Sequence, residues 1–250
     1  MPVRTEVHQL ADGHLCVVTL DRPEARNALD TATITELVDT VDDLGHDAGL
    51  RGVVFEGAGG TFCAGADVRE ELADGGRRRT ELLTLLYEQV AHLRMPTAAA
   101  IEGPAVGGGA ELAAACDLRV ATVSSMFRFP GASFGVPIGT ARTVGQVGLS
   151  VAKDWVLSGR DVPASEAEAR GFVQRLVADG EALPTAVTWL EQVATHDPAT
   201  IALLKRLFDD HGGVRDRLAF ENDLLRAQAE TGSLPSLDND LPRTVRPRWR

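Results

Sequence analysis

Three consecutive glycines, Gly107–Gly109, stand between an apolar segment with the character of a strand and a short apolar segment with the character of a helix. Because glycine lacks a Cβ atom, this run can bend sharply and leave its backbone N–H groups uncovered. A helix that begins there directs unpaired N–H groups and the positive end of its dipole forward. Glu111 follows Gly108 by three residues, one turn on and on roughly the same face. The run therefore predicts an oxyanion donor beside a carboxylate that can move a proton.

A second loop of similar character occurs earlier in the chain. Thr61–Val68 comes after the predicted strand 51–56, and Glu102–Glu111 comes after the predicted strand 97–102. Strands joined by such connections often lie side by side, so we expect the two loops to be neighbours at the strand ends where ligands commonly bind. Two backbone N–H groups, one from each loop, can then converge on one carbonyl oxygen and form an oxyanion hole without side chains.

The order of predicted elements indicates an α/β fold. Residues 3–9 and 13–20 form a predicted hairpin with its turn at Asp12-Gly13, and Asp30 is the expected N-cap of a helix that runs to about Leu44. Short apolar strands then alternate with helices up to about residue 123, which favours parallel pairing. Beyond about residue 150, helical patterns dominate. We expect a core over 1–190, a helical region over 191–232 and a flexible tail over 233–250.

Composition excludes several classes of function. The chain has 25 basic and 36 acidic residues and a formal net charge of -11, which argues against nucleic acid or an anionic membrane as the main partner. It begins without a signal peptide, and no apolar run is long enough to cross a bilayer, so we expect a cytoplasmic protein. Three cysteines without a CxxC pair and six scattered histidines predict neither a disulfide framework nor a metal site.

Three motifs together resemble the crotonase superfamily, also called enoyl-CoA hydratase/isomerase. They are Asp21-Arg22-Pro23-Glu24-Ala25-Arg26-Asn27-Ala28-Leu29, Phe62-Cys63-Ala64-Gly65-Ala66-Asp67 and Gly107-Gly108-Gly109-Ala110-Glu111-Leu112. Each motif alone is weak, but three in this order and at these separations are highly specific. The resemblance implies a fold of repeated ββα turns with a helical C-terminal region for trimerisation. It further implies acyl-CoA thioesters as substrates, with coenzyme A as part of the substrate, no permanently bound cofactor, and a homotrimer or a dimer of trimers.

The resemblance also assigns roles to particular residues. Ala66 and Gly108 match the two oxyanion-hole positions, and Glu111 matches the first of two catalytic glutamates in the hydratases. Lys205 stands where the family often has a basic residue near a CoA phosphate. The positions expected around the adenine and pantetheine of CoA are Ala25, Arg26, Ala64 and Asp67.

One position departs from the family pattern. The second hydratase glutamate follows a proline about 20 residues after the first, and Gly131 stands there, directly after Pro130. Because one positioned acid or base contributes about 10² to 10⁴ in rate, its loss puts standard hydration in doubt. Hydration, isomerisation, decarboxylation and hydrolysis stay open, as does a non-catalytic acyl-CoA binding protein. The candidates for a replacement polar group are Arg128, Ser133 and Arg142.

Overall fold

The computed structural model describes residues 1–230, so the predicted tail 233–250 lies outside the described residues. The strands are β1 (Val3–Gln9), β2 (His14–Leu20), β3 (Leu50–Gly57), β4 (Thr97–Ile101), β5 (Pro104–Val106), β6 (Leu118–Thr122), β7 (Met126–Arg128), β8 (Val162–Pro163) and β9 (Arg175–Val177). The helices are α1 (Thr31–His46), α2 (Arg77–His92), α3 (Gly108–Ala115), α4 (Thr140–Val147), α5 (Leu149–Ser158), α6 (Ala164–Ala169), α7 (Ala182–Ala194), α8 (Pro198–Gly212) and α9 (Val214–Glu230).

A six-stranded sheet carries the fold, with strand order β1-β2-β3-β4-β6-β9. The hairpin of β1 and β2 is antiparallel, and every later neighbour pair in this sheet is parallel. The predictions of an α/β fold, of the opening hairpin and of parallel pairing are confirmed. The carboxyl ends of β3 and β4 are adjacent, so the loops that follow these strands begin side by side.

Alternate side chains of the sheet enter two separate apolar layers, as the pleat requires. On one face, residues such as Val53, Phe55 and Ile101 pack into the large core beneath α1, α2 and α3. On the other face, α7 covers a smaller layer of Leu15, Val17, Val54, Ala98, Ala100 and Val120 with its Ala182, Ala186 and Leu190. Strand β4 is buried on both faces, which explains its continuous run of small and apolar residues.

The helices follow local signals that the sequence carries. Asp30 caps α1 as expected, because its side chain accepts a hydrogen bond of 2.8 Å from the N–H of Thr33. Helix α2 begins at Arg77, and Gly76 is its N-cap residue. The sequence did not predict helix α4. It also did not predict a second sheet with the order β5-β7-β8, because these strands have only two or three residues. Both turn out to form part of the site.

The C-terminal helices differ in how they pack. Helix α9 packs against α2 and α4, and its inward residues include Leu218, Glu221 and Leu225. Helix α8 has no buried residue, and the two helices expose six large apolar side chains: Leu203, Leu204, Leu207, Phe208, Phe220 and Leu224. None of the helices that span residues 1–230 is long and apolar enough to cross a membrane.

Candidate active site

The two glycine-containing loops are joined directly, as the sequence predicts. Cys63 and Ala105 form a parallel bridge, in which the N–H of Cys63 donates to the carbonyl of Pro104 at 3.1 Å and the N–H of Val106 donates to that of Cys63 at 2.9 Å. A Cβ atom at Gly109 would lie 2.4 Å from the carbonyl oxygen of Cys63. The loops therefore approach so closely that the position requires glycine.

The N–H of Ala66 points away from the parallel bridge that Ala66 forms with Leu29. Leu29 donates to the carbonyl of Gly65 at 2.8 Å and accepts from the N–H of Asp67 at 2.9 Å. Ala66, between these two residues, directs its N–H to the opposite side, as the alternation of an extended chain requires. Within residues 1–230 this N–H has no acceptor.

The N–H of Gly108 is the second free donor. It begins α3 and has no acceptor among the described residues, as is normal for the first turn of a helix. A Cβ atom at Gly108 would lie 3.6 Å from the nitrogen of Ala66, and one at Gly65 would lie 3.1 Å from the nitrogen of Gly108. The two loops thus present two unpaired N–H groups beside one another, which is the arrangement that an oxyanion needs.

Neighbouring groups fix the backbone at Gly108. The hydroxyl of Tyr87 donates to the carbonyl of Gly108 at 3.0 Å, and the N–H of Gly107 donates to the carbonyl of Arg128 at 2.9 Å. Gly107 has φ +51°, a conformation that favours glycine. Strand β7 and helix α2 therefore hold the start of α3 from two sides.

Glu111 lies in the first turn of α3 and is almost fully enclosed, with 1% of its side chain exposed. Its Oε2 accepts from Nη1 of Arg142 at 3.2 Å, while Oε1 has no hydrogen-bond partner among residues 1–230. Burial raises the pKa of Glu111 to about 7; Arg142 opposes this rise and the charge of Glu221 adds to it. A carboxyl group with such a pKa can both accept and donate a proton near neutral pH.

Arg142 belongs to α4, the helix that the sequence did not predict. Its side chain is 5% exposed, and its guanidinium lies over the ring of Tyr87 with 5.4 Å between the guanidinium carbon and the ring centroid. Nη1 is bonded to Glu111, and the other guanidinium nitrogens have no acceptor in the described part of the chain. Of the three candidates for a replacement polar group, Arg142 is the one that contacts Glu111.

The other two candidates are turned elsewhere. Arg128 donates from Nε to the carbonyl of Gly159 at 2.6 Å. Ser133 lies near Gly159, since a Cβ atom built at Gly159 would be 3.4 Å from Oγ of Ser133. Both side chains therefore face the segment after α5 rather than Glu111.

Gly131 is buried, and the loop that follows fills the space where its side chain would be. A Cβ atom there would lie 2.6 Å from the carbonyl oxygen of Val136 and 3.1 Å from that of Ile138. The carboxylate is thus absent together with the room for it. The backbone of Gly139 lies near Glu111 instead: a Cβ atom at Gly139 would lie 3.4 Å from the unpartnered Oε1 of Glu111.

The residues predicted to surround CoA adjoin the loop Thr61–Val68. The N–H of Ala64 donates to the carbonyl of Arg26 at 3.0 Å. Arg26 has φ 55° and directly follows a short helical turn that ends at Ala25. Asn27 joins the segments, since its Nδ2 donates to the carbonyls of Ala58 at 2.9 Å and Thr61 at 2.6 Å. Sequence reasoning assigned no role to Asn27, although its place inside the first motif was a signal.

Asp67 and Lys205 both have partners within the chain. Asp67 accepts from the N–H of Arg69 at 3.0 Å and pairs with Nη2 of Arg22 at 3.3 Å. Lys205 pairs with Asp117 at 2.6 Å and donates to the carbonyl of Met95, at the edge of the sheet where β4 and β6 begin. The two glycine-containing loops lie at the opposite edge, so the chain does not bring Lys205 to the other candidates. Its role toward a CoA phosphate stays a prediction.

Sequence reasoning missed Glu221, a residue of α9. Its side chain is buried, and its Oε2 accepts from the N–H of Thr140 at 2.8 Å, from the hydroxyl of Thr140 at 2.6 Å and from the N–H of Ala141 at 3.0 Å. The available signal was its spacing, because Glu221 lies between Leu218 and Leu225 on the apolar stripe of an amphipathic helix. Within the described residues, no group of three or more His, Cys, Asp or Glu side chains could hold a metal ion.

A family comparison covers most of the chain. Residues 11–227 match the family model described as enoyl-CoA hydratase/isomerase. A Thermus thermophilus protein provisionally named an enoyl-CoA hydratase is 39% identical over 207 residues, which span 80% of this chain and 82% of that protein. The enoyl-CoA hydratase EchA19 of Mycobacterium tuberculosis is 32% identical over 222 residues, which span 84% and 83% of the two chains. The chain belongs to the enoyl-CoA hydratase/isomerase family.

Solved structures agree with this membership. An enoyl-CoA hydratase/isomerase from Xanthobacter autotrophicus superposes with a TM-score of 0.81 at 29% identity, over 95% of this chain and 90% of that one. A monofunctional enoyl-CoA isomerase from Mycobacterium smegmatis superposes with a TM-score of 0.69 at 30% identity, over 84% and 93% of the two chains. The predicted crotonase fold is confirmed, and the relatives include both hydratases and isomerases.

Proposed function

We propose that this protein is an acyl-CoA enzyme that binds the thioester carbonyl oxygen between the N–H groups of Ala66 and Gly108. The observation that carries the proposal is the pair of unpartnered N–H groups beside Glu111, a buried carboxyl group whose pKa is raised to about 7. Two such donors stabilise the negative charge that gathers on the oxygen when the α-carbon becomes enolate-like. Coenzyme A enters as part of the substrate.

Glu111 supplies the proton transfer in this proposal. Its Oε2 is held by Arg142, and its Oε1 has no partner in residues 1–230. As a carboxylate, Oε1 can accept a proton from the acyl group or from water, and the resulting acid can return it to carbon. An isomerase needs only this single group, whereas hydration also needs a water that is activated without a second carboxylate.

The environment of Arg142 supports a second reaction, decarboxylation of a carboxylated acyl-CoA. Guanidinium groups bind carboxylates well, and nitrogens of Arg142 other than Nη1 have no acceptor in the described chain. In this reaction the bond between the α-carbon and the carboxylate breaks, carbon dioxide leaves, and the electron pair passes to the thioester oxygen. Protonated Glu111 then delivers a proton to the α-carbon.

One experiment tests the proposal and separates the reactions. Wild type and Glu111→Gln are incubated with enoyl-CoA, malonyl-type and 3-oxoacyl-CoA thioesters, and products are identified by mass spectrometry. We expect wild type to convert one class and Glu111→Gln to be strongly impaired. Binding of the thioesters without any turnover by wild type would instead favour a non-catalytic acyl-CoA binding protein. Equal activity of the two proteins would exclude Glu111 as the proton carrier.

We also propose that the protein assembles through α8 and α9 into a trimer or a dimer of trimers in the cytoplasm. The two helices expose Phe208 and Phe220, which are 73% and 69% accessible, together with four leucines. Exposed apolar surface of this extent is typical of association sites.

A further inference from the structure

Helix α4 begins without a cap of its own. Its N-cap residue is Gly139, which has no side chain to accept from the first N–H groups of the helix. Such groups need a partner when they are buried, because an unpaired N–H away from water is costly. The partner comes from α9: one carboxylate oxygen of Glu221 accepts from the N–H groups of Thr140 and Ala141, 81 and 80 residues earlier in the chain.

These two residues immediately precede Arg142, the residue that contacts Glu111. A second bond from α9 fixes the next peptide, which joins Ala141 to Arg142, since Nε of Arg217 donates to the carbonyl of Ala141 at 2.9 Å. Gly139, on the other side of Thr140, forms the wall beside the unpartnered Oε1 of Glu111. A shift of the first turn of α4 would therefore move both the donor to Glu111 and the surface opposite it.

We propose that Glu221 is a positioning residue, which holds the first turn of α4 so that Arg142 and Gly139 keep their places against Glu111. The C-terminal helix α9 is then part of the active site of its own chain. This inference rests on the proposed function for its kinetic consequence, although the contact itself can be tested without turnover. A merely structural Glu221 would affect the stability of the fold and leave kcat of the folded variants unchanged.

The charges around Glu111 give the inference a specific signature. Arg142 from α4 lowers the pKa of Glu111, and Glu221 from α9 raises it. Tyr87 from α2 and Cys63 from the loop Thr61–Val68 are buried with raised pKa values. Loss of the Glu221 charge thus lowers the pKa of Glu111, provided that Arg142 stays in place. The Glu221→Gln variant removes this charge and keeps an oxygen that can accept from α4.

The experiment compares Glu221→Gln and Glu221→Ala with Asp223→Asn. Asp223 is a matched control, since it carries the same charge on α9, is 75% exposed and pairs with Arg226 rather than with α4. We expect Glu221→Ala to lower kcat by about 10²-fold with KM for the thioester changed less than about threefold, as misplacement of catalytic groups does. Glu221→Gln should fall between wild type and Glu221→Ala, and Asp223→Asn should match wild type.

A second readout needs no substrate. In protein labelled with carbon-13 at the glutamate carboxyl carbons, the signal of Glu111 is identified by its loss in Glu111→Gln and titrated by NMR. We expect a titration near the pKa of about 7 in wild type and a lower value in Glu221→Gln, which loses only the charge. Glu221→Ala loses the charge and the cap, so displacement of Arg142 should leave the pKa of Glu111 above that in Glu221→Gln. Equal titrations in Glu221→Gln and Glu221→Ala, with kcat also unchanged in folded Glu221→Ala, would overturn the inference. Should wild type turn over no thioester, the proposed function fails while the titration still decides the role of Glu221.

Discussion

Nη1 of Arg142 lies 3.2 Å from Oε2 of Glu111, and the two side chains are 5% and 1% exposed. Arg142 favours the ionised form of Glu111, whereas burial and Glu221 favour the neutral form. Burial is the largest of these effects, so the pKa of Glu111 is raised to about 7 despite the adjacent guanidinium. A small change in the charges around Glu111 therefore alters its ionisation near neutral pH.

Replacement of Arg142 by glutamine should move the pH profile upwards. Because Arg142 lowers the pKa of Glu111, its loss raises that pKa further above the usual range. The limb of the pH dependence of kcat/KM that belongs to Glu111 should move to higher pH. If Glu111 acts as base, activity on the acidic side should fall about tenfold for each pH unit that the limb moves. Steady-state kinetics across the pH range measures this displacement.

The charge-preserving variant Arg142→Lys is the control. It keeps a cation near Glu111 while it loses the planar guanidinium, so its limb should stay closer to that of wild type. A limb that does not move in Arg142→Gln would mean that the ionisation in the profile belongs to another group.

The stability of the protein should fall as pH rises through the range that Glu111 titrates. Its pKa is raised from 4.5 in a model peptide to about 7 in the folded chain, so the folded state holds this proton more tightly than the unfolded state. The contribution of Glu111 is therefore most favourable below pH 4.5 and is lost between 4.5 and 7. The loss is on the order of 3 kcal/mol in the free energy of unfolding.

Urea unfolding of wild type and Glu111→Gln at several pH values isolates this contribution. Glutamine does not titrate, so the difference between the two proteins should change in favour of the variant from pH 4.5 to 7 and stay constant above that range. A constant difference over the whole range would show that the pKa of Glu111 is ordinary.

Local sequence signals predicted how closely the two glycine-containing loops approach each other. Gly65 and Gly109 stand where the two loops approach so closely that a Cβ atom would collide with the facing backbone, and at Gly108 it would collide with the hydroxyl of Tyr87. A requirement of this kind appears directly in the sequence as glycine. The parallel order of β3 and β4 was predictable for a similar reason, since short buried strands leave continuous apolar runs.

Residues that reach the site from distant segments were harder to predict. Arg142 belongs to an eight-residue helix that begins with a glycine N-cap, and its start is capped by Glu221, a residue 81 positions later in the chain. Neither the start of this helix nor its cap from Glu221 is marked by a local sequence pattern. The partner of Lys205 was likewise hidden, because Asp117 approaches it only after α8 folds back on the sheet edge.

Two variants that share an added Cβ atom test whether the N–H of Gly108, with the space in front of it, binds the substrate oxygen. Gly108→Ala and Gly108→Pro both add a Cβ atom, which would lie 2.8 Å from the hydroxyl of Tyr87, but only proline removes the N–H. Proline is tolerated at the first position of a helix. We expect kcat of Gly108→Pro to be about 10²- to 10³-fold below that of Gly108→Ala, with both variants folded. Equal kcat values would exclude this N–H as an oxyanion donor.

Self-association should depend on the apolar face of α8. Phe208 is 73% exposed and is accompanied on α8 by Leu203, Leu204 and Leu207. We expect Phe208→Ser to shift sedimentation equilibrium toward smaller species, because it removes a side chain whose full burial contributes about 1.5 to 3 kcal/mol in each interface. Val7→Ser, on the exposed side of β1, is the control and should leave the mass unchanged. A monomeric wild-type protein would contradict the proposed assembly.

Installation of the family's second glutamate at Gly131 should fail to create a hydratase site. The new Cβ atom would lie 2.6 Å from the carbonyl oxygen of Val136, so the loop 135–139 must move or the carboxylate must point away from Glu111. We expect Gly131→Glu to lower the free energy of unfolding by about 1 to 3 kcal/mol, the usual range for overpacking, and to hydrate enoyl-CoA no faster than wild type. Ala132→Glu adds the same charge at the adjacent exposed position and should keep wild-type stability. The expectation would be contradicted if Gly131→Glu hydrated enoyl-CoA faster than wild type and were as stable as Ala132→Glu. That result would mean that the loop 135–139 moves readily and that only the missing side chain limits hydration.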